Sequence, residues 1–184
     1  MFKIFRLISL LIFVTFSFSA NSHIQHYKNL KRIEFDIYRN NKLIGTHIFS
    51  FEKYGEELSV KSVIKFKIIK FGIVLYKYYA EGVEVYKDGK LIKFNSKTDQ
   101  NKKNKYVNMI FENNEYIIDG SSYKGKAPAE YLIGTWWNHS IIKAKAQISA
   151  VSGRIIKQKV KFLGKETIKF GEKSYNTLHF NFSS

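Results

Sequence analysis

The sequence predicts a mainly β fold: an antiparallel meander forming a barrel or half-barrel, with one short helical segment near residues 127–143. Three observations lead there. Apolar residues recur at every second position through most of the chain, the period of a half-buried strand. Short turn signals, chiefly Asn-Asn and Asp-Gly pairs, separate those runs. The only Pro lies in the one interval, Ala127 to Lys143, that breaks the alternation.

The elements follow in order. Ile33, Phe35 and Ile37 alternate with Glu34, Asp36 and Tyr38. Asn40-Asn41 reads as a hairpin turn, because Asn tolerates positive φ. On the return strand Leu43, Gly45, His47 and Phe49 share one face, and Ile44, Thr46 and Ile48 the other. After a turn at Tyr54-Gly55-Glu56, Val60, Ser62, Ile64, Phe66 and Ile68 face one side, with Lys61, Lys65 and Lys67 opposite. Phe71 to Leu75 is a continuous apolar run: either a strand covered on both faces or a bend at Gly72. Val83 and Val85 lead into Asp88-Gly89, the strongest hairpin signal in the chain. Lys97 to Lys105 reads as a polar loop. Val107, Met109 and Phe111 alternate again, Asn113-Asn114 turns, and Tyr116 to Ile118 returns. Pro128 suits the first turn of a short helix, so one or two helical turns are placed between 127 and 143. Ile156, Val160 and Phe162, then Ile168 and Phe170, then Leu178, Phe180 and Phe182 complete about ten strands, with Gly164 and Gly171 read as turn glycines.

The N-terminus is of a different kind. Lys3 and Arg6 flank the start of an apolar run, Leu7 to Phe18, that ends in small residues at Ser17, Ser19 and Ala20. This is the pattern of a secretory signal peptide over residues 1–19, and the run is shorter than the roughly 20 apolar residues of a spanning helix. A flexible segment at 20–29 and a single β-rich domain at 30–184 are expected to follow. The expected location is the periplasm, with no transmembrane segment in the mature chain and no Cys for a lipid anchor. With no Cys at all, disulfides, thiolate metal sites and a Cys nucleophile are excluded.

The net charge of +16 resembles a nucleic-acid signal, but the basic residues are 27 Lys and only 4 Arg. Phosphate and guanine-edge recognition favours the planar Arg fork. Ile outnumbers Leu 23 to 11 and Lys, Asn, Phe and Tyr abound, the residues of A/T-rich codons. The charge is therefore read as compositional, with no specific nucleic-acid partner and weak attraction to anionic lipid or polysaccharide left open.

No catalytic set emerges. His23, His26, His47, His139 and His179 are scattered, and no spacing among them builds a zinc trio. Glu81 and Glu84 are the best carboxylate pair, yet residues three apart on a strand face opposite sides. No nucleophile elbow, P-loop, dinucleotide fingerprint or H-E-x-x-H run is present. No metal and no cofactor are expected. The aromatics remain: Trp136, Trp137, Tyr76 and Tyr78 are the candidate wall of an apolar ligand pocket. Against this stands a packing role, one Trp plugging the core and the other covering an edge, since neighbouring strand residues diverge.

These segments carry a resemblance. Phe35-Asp36-Ile37 with Lys42 to Thr46, Glu84 to Leu91 with Thr98-Asp99, Trp137-Asn138 and Ser152-Gly153 resemble a family of exported bacterial proteins, domain of unknown function 6134 and its relatives. The resemblance implies a β-rich periplasmic domain similar to the half-barrels of outer-membrane lipoprotein carriers, and no catalytic residues come with it. Such sequences usually continue into a further hairpin, whereas this chain stops at Ser183-Ser184; either it is a fragment or its last strands are lost. A less well-closed sheet near the C-terminus is the expectation. The expected function is non-enzymatic: a binding or carrier module for an apolar, lipid-like ligand. The competing expectation is a structural or interaction protein of the envelope that uses its Lys-rich face and sheet edges.

Overall fold

The computed structural model describes residues 29–184. The expected signal peptide, the segment after it up to residue 28, and with them His23 and His26 lie outside the described residues. Eight antiparallel strands follow in simple up-and-down order: β1 (Arg32–Arg39), β2 (Lys42–Tyr54), β3 (Glu57–Lys70), β4 (Ile73–Lys87), β5 (Lys90–Gln100), β6 (Lys103–Glu112), β7 (Glu115–Gly120) and β8 (Lys124–Pro128). β1 and β8 do not pair, so the sheet is an open half-barrel.

The turns explain the order. Asn40-Asn41, Asp88-Gly89 and Asn113-Asn114 all hold both central residues at positive φ, the mirror-image turn that matches strand twist. Asn101-Lys102 does the same, which overturns the expected loop at 97–105. That stretch belongs to β5 and β6, and its polar residues pair across the two strands, Lys105 Nζ donating to Gln100 Oε1 at 2.9 Å. Phe71-Gly72 also turns, so the apolar run at 71–75 is a bend followed by an exposed strand, not a strand covered on both faces.

After β8 the chain crosses over the inner face. A small sheet, β9 (Leu132–Ile133), β10 (Ala146–Ile148) and β11 (Ile155–Lys157), forms with β9 and β10 parallel. The helical segment is a 3-10 turn at His139–Lys143, capped by the Asn138 side chain, which accepts from Ser140 N at 2.9 Å. It does not start at Pro128. Pro128 instead ends the edge strand β8 opposite Glu115, where its missing N–H removes no ladder bond. The described strands number thirteen rather than about ten; β12 (Lys159–Phe170) and β13 (Lys173–Ser183) form a separate hairpin with a bulge between Phe162 and Gly164.

The core lies between the crossover and one half of the sheet. Phe51, Val60, Phe94, Met109 and Ile118 rise from the sheet to meet Ile133, Trp137 and Ile148. Burial of each such side chain stabilises the fold by roughly 1.5–3 kcal/mol. Ser96 Oγ donates to Ala150 O at 2.6 Å and Ser122 N to Ser152 O at 2.9 Å, fastening the crossover to the strands below.

Candidate functional site

The even-numbered residues of β4 trace the inner face from end to end: Tyr76, Tyr78, Ala80, Gly82, Glu84 and Tyr86. Their exposure changes along the strand. Gly82, Glu84 and Tyr86 are buried under the crossover, whereas Tyr76, Tyr78 and Ala80 are only partly covered. One face thus carries a filled half and a bare half.

The filled half is knotted around Glu84. Its carboxylate is 1% exposed and accepts from Trp137 Nε1 at 2.8 Å and from the Tyr86 hydroxyl. Thr135 adds a third hydrogen bond, and Tyr86 is also bonded to Asn138. Desolvation pushes the Glu84 pKa up to about 7 against the opposing pull of these donors. Burial first, then the neighbouring Glu84, raises Tyr86 well above the usual phenol range. Trp137 meets Phe51 and Tyr86 edge-on, with ring centroids at 5.4 and 5.6 Å. Glu84 lines neither the groove described next nor the depression of about 560 Å³ beside Tyr86 and Asn138. Enclosed and bonded from both elements, the Glu84 carboxyl ties β4 to the crossover.

The bare half forms an open groove of about 1200 Å³, larger than the roughly 300–1,000 Å³ of ordinary small-molecule pockets. Leu43, Phe66, Ile68, Leu75, Tyr76 and Tyr78 line it. Phe66 stacks on both tyrosines, at 5.8 Å from Tyr76 and 5.1 Å from Tyr78. Gly45 sits opposite Phe66, and a Cβ there would lie 2.0 Å from Lys65 O, so only Gly lets β2 approach β3 so closely.

The four aromatics singled out in the sequence therefore do not form one wall. Tyr76 and Tyr78 line the groove; Trp137 is in the core, about eight strand residues or roughly 26 Å along β4 from Tyr78, as its contact with Tyr86 shows. Trp136 is 54% exposed, at φ 70°, and meets Phe182 of the terminal hairpin edge-on at 5.0 Å. Phe66, Leu43 and Leu75 were missed, although the parity of Ile64, Phe66 and Ile68 with Tyr76 and Tyr78 across the β3–β4 register was a usable signal. Glu84 entered only as half of a carboxylate pair, and Glu81 lies on the opposite face, bonded by the Tyr79 hydroxyl at 3.0 Å.

His47 packs against Phe49 with ring centroids at 4.2 Å, and burial lowers its pKa. His179 pairs with Glu166 at 3.3 Å on the exposed hairpin. Among the described residues no group of His, Asp and Glu is arranged to hold a metal ion. Likewise no described helix is long and apolar enough to cross a membrane.

No curated protein and no solved structure matches this chain. A family model does match residues 35–184, from the Phe35-Asp36-Ile37 segment of β1 through the terminal hairpin, and the chain belongs to that family, the domain of unknown function DUF6134.

Proposed function

We propose that this protein is an exported, periplasmic binding or carrier module that holds an apolar, lipid-like ligand on the bare half of its inner face. One observation carries the reading. The alternation that builds a core under Trp137 continues along β2, β3 and β4, yet no described element covers it there. An aromatic and aliphatic groove of this size is what an acyl chain needs, since apolar area removed from water supplies its binding energy. The leader pattern at Lys3 to Ala20 supports the export half of the proposal.

The test is to express the full chain with its leader in a Gram-negative host and purify the mature protein from the periplasm. Extracted lipid is then measured by mass spectrometry. Lipid retained near one per protein supports the reading. Protein free of lipid that also fails to bind N-phenyl-1-naphthylamine overturns it.

The second reading, an envelope interaction protein, is favoured by the outer face, where Lys67 stands opposite Lys77 and Lys65 opposite Tyr79. The sheet edges favour it less. β1 carries an Arg32–Glu34 pair at 2.8 Å, and β8 carries Lys124–Asp119 and Lys126–Glu115 pairs at 2.8 Å, charges that discourage strand addition.

A further inference from the structure

The β3–β4 hairpin outruns its neighbours. β2 pairs with β3 only as far as Phe66, and β5 pairs with β4 only from Tyr78 onward. Residues 67–77 therefore project beyond their paired neighbours as a two-stranded ribbon, held at its base by Asn101 N donating to Lys77 O at 2.8 Å, with a reach of roughly 13–16 Å at 3.3 Å per residue. Its sequence, KIIKFGIVLYK, contains no acidic residue.

The ribbon is apolar where water would ordinarily demand polarity. Phe71 is 91% exposed and Ile73 65%, with Ile69, Val74 and Leu75 each about half exposed. Exposed apolar residues scattered singly carry no message, but a contiguous patch does. Phe71 also occupies a left-handed position, φ 51°, where the equivalent turns use Asn40, Asp88, Asn101 and Asn113. An aromatic side chain is disfavoured there on both conformational and solvation grounds. Neither cost serves the core, since Phe71 makes no core contact.

Cations collar the tip. Lys67, Lys70 and Lys77 lie on the ribbon, with Lys65 just below and Arg39 and Lys42 at the neighbouring β1–β2 turn. All six are exposed, and none forms an ion pair among the described residues. By contrast, the depression beside Tyr86 mixes Lys90 with Asp88 and Glu130. An apolar wedge inside a ring of lysines is complementary to one surface in particular, a bilayer bearing anionic headgroups: the wedge enters the interface while the ammonium groups meet phosphates.

We propose that the β3–β4 tip docks this protein onto an anionic lipid bilayer, with Phe71 and Ile73 entering the interface and Lys67, Lys70 and Lys77 at headgroup level. The inference does not depend on whether the groove holds a ligand.

The experiment is co-sedimentation of the mature protein with vesicles of phosphatidylcholine alone and of phosphatidylcholine mixed with phosphatidylglycerol, at low and high salt. Binding is expected to the mixed vesicles only, weakening with salt. Phe71→Asn restores the residue that the other turns use, so the fold is retained while affinity falls about tenfold or more. Lys70→Gln is expected to cost about fivefold on the mixed vesicles. Wild type that ignores both vesicles, equal binding to both, or Phe71→Asn that binds as well as wild type would each overturn the proposal. Sedimentation velocity without lipid supplies a further test. A dimer that Phe71→Asn dissociates would overturn it in favour of a second copy as the occupant.

Discussion

The indole Nε1–H of Trp137 donates to Glu84 Oε1 over 2.8 Å, joining the crossover segment to the centre of β4. The pair is buried on both sides, so its loss is not repaired by water. Trp137→Phe keeps the edge-on aromatic packing but removes the donor. Leaving a buried acceptor short of a partner costs about 1–3 kcal/mol. Urea unfolding should show that loss with little change in slope. A variant as stable as wild type would mean that the bond contributes nothing net.

Glu84 also predicts a pH dependence. Its carboxyl titrates at about 7 in the folded protein against 4.5 ordinarily. Between those values the unfolded chain has released its proton while the folded chain keeps it, so stability falls as pH rises across this window. The gap corresponds to about 3 kcal/mol in total, with the slope from this group fading over about one pH unit below 4.5 and above 7. Glu84→Gln should flatten the window, its amide oxygen accepting from Trp137 and its NH₂ donating to the Tyr86 hydroxyl. Equal slopes for wild type and variant, measured by unfolding at a series of pH values, would refute the assignment.

Gly45→Ala tests the close approach of β2 to β3. The added methyl would fall 2.0 Å from Lys65 O and 2.4 Å from Phe66 Cβ, so backbone must move. Overpacking of this kind costs about 1–3 kcal/mol. Because the clash is at the groove wall, lipid retention should fall with stability. Unchanged melting would show that the strands separate freely there.

Phe66→Ala and Phe94→Ala separate binding from folding. Phe94 is 1% exposed in the core, and truncating it should cost about 3–5 kcal/mol. Phe66 is half-buried at the groove, so about 1–2 kcal/mol is expected. Lipid retention, measured by mass spectrometry of the purified protein, should fall most for Phe66→Ala. Retention that follows stability in both variants would argue that the groove has no special part.

The meander was legible because its signals are local: alternation sets the faces, and Asn-Asn or Asp-Gly sets the turns. Asn101-Lys102 does not read as a turn because Lys is an unusual residue at positive φ, and a polar stretch there looks like a loop. Period two also says which residues share a face, as it did for Phe66 and Tyr78, but not how much of that face is covered. Coverage depends on where residues 129–157 cross, a non-local fact. Trp137 and Tyr78 therefore looked alike in sequence although one is core and the other groove. Glu84 shows the same limit, since its three donors converge from β4 and from a segment some fifty residues away.

The terminal hairpin supplies the last prediction. A two-stranded ribbon alone is marginal in water, and β12–β13 exposes Phe162, Leu163, Ile168 and Phe170. Among the described residues, its Phe182 meets Trp136 of the crossover at 5.0 Å, at a position held at φ 70°. Aromatic pairs of this kind contribute about 0.5–1.5 kcal/mol beyond area burial, enough to shift a marginal docking equilibrium several-fold but not to unfold the core. Phe182→Ala should accordingly speed proteolytic cleavage between residues 159 and 183 and reduce amide protection there. Amide protection of Val60, Phe94 and Ile118 in the core, followed across a urea series, should stay unchanged. A core that loses stability together with the hairpin would show instead that the two sheets fold as one unit.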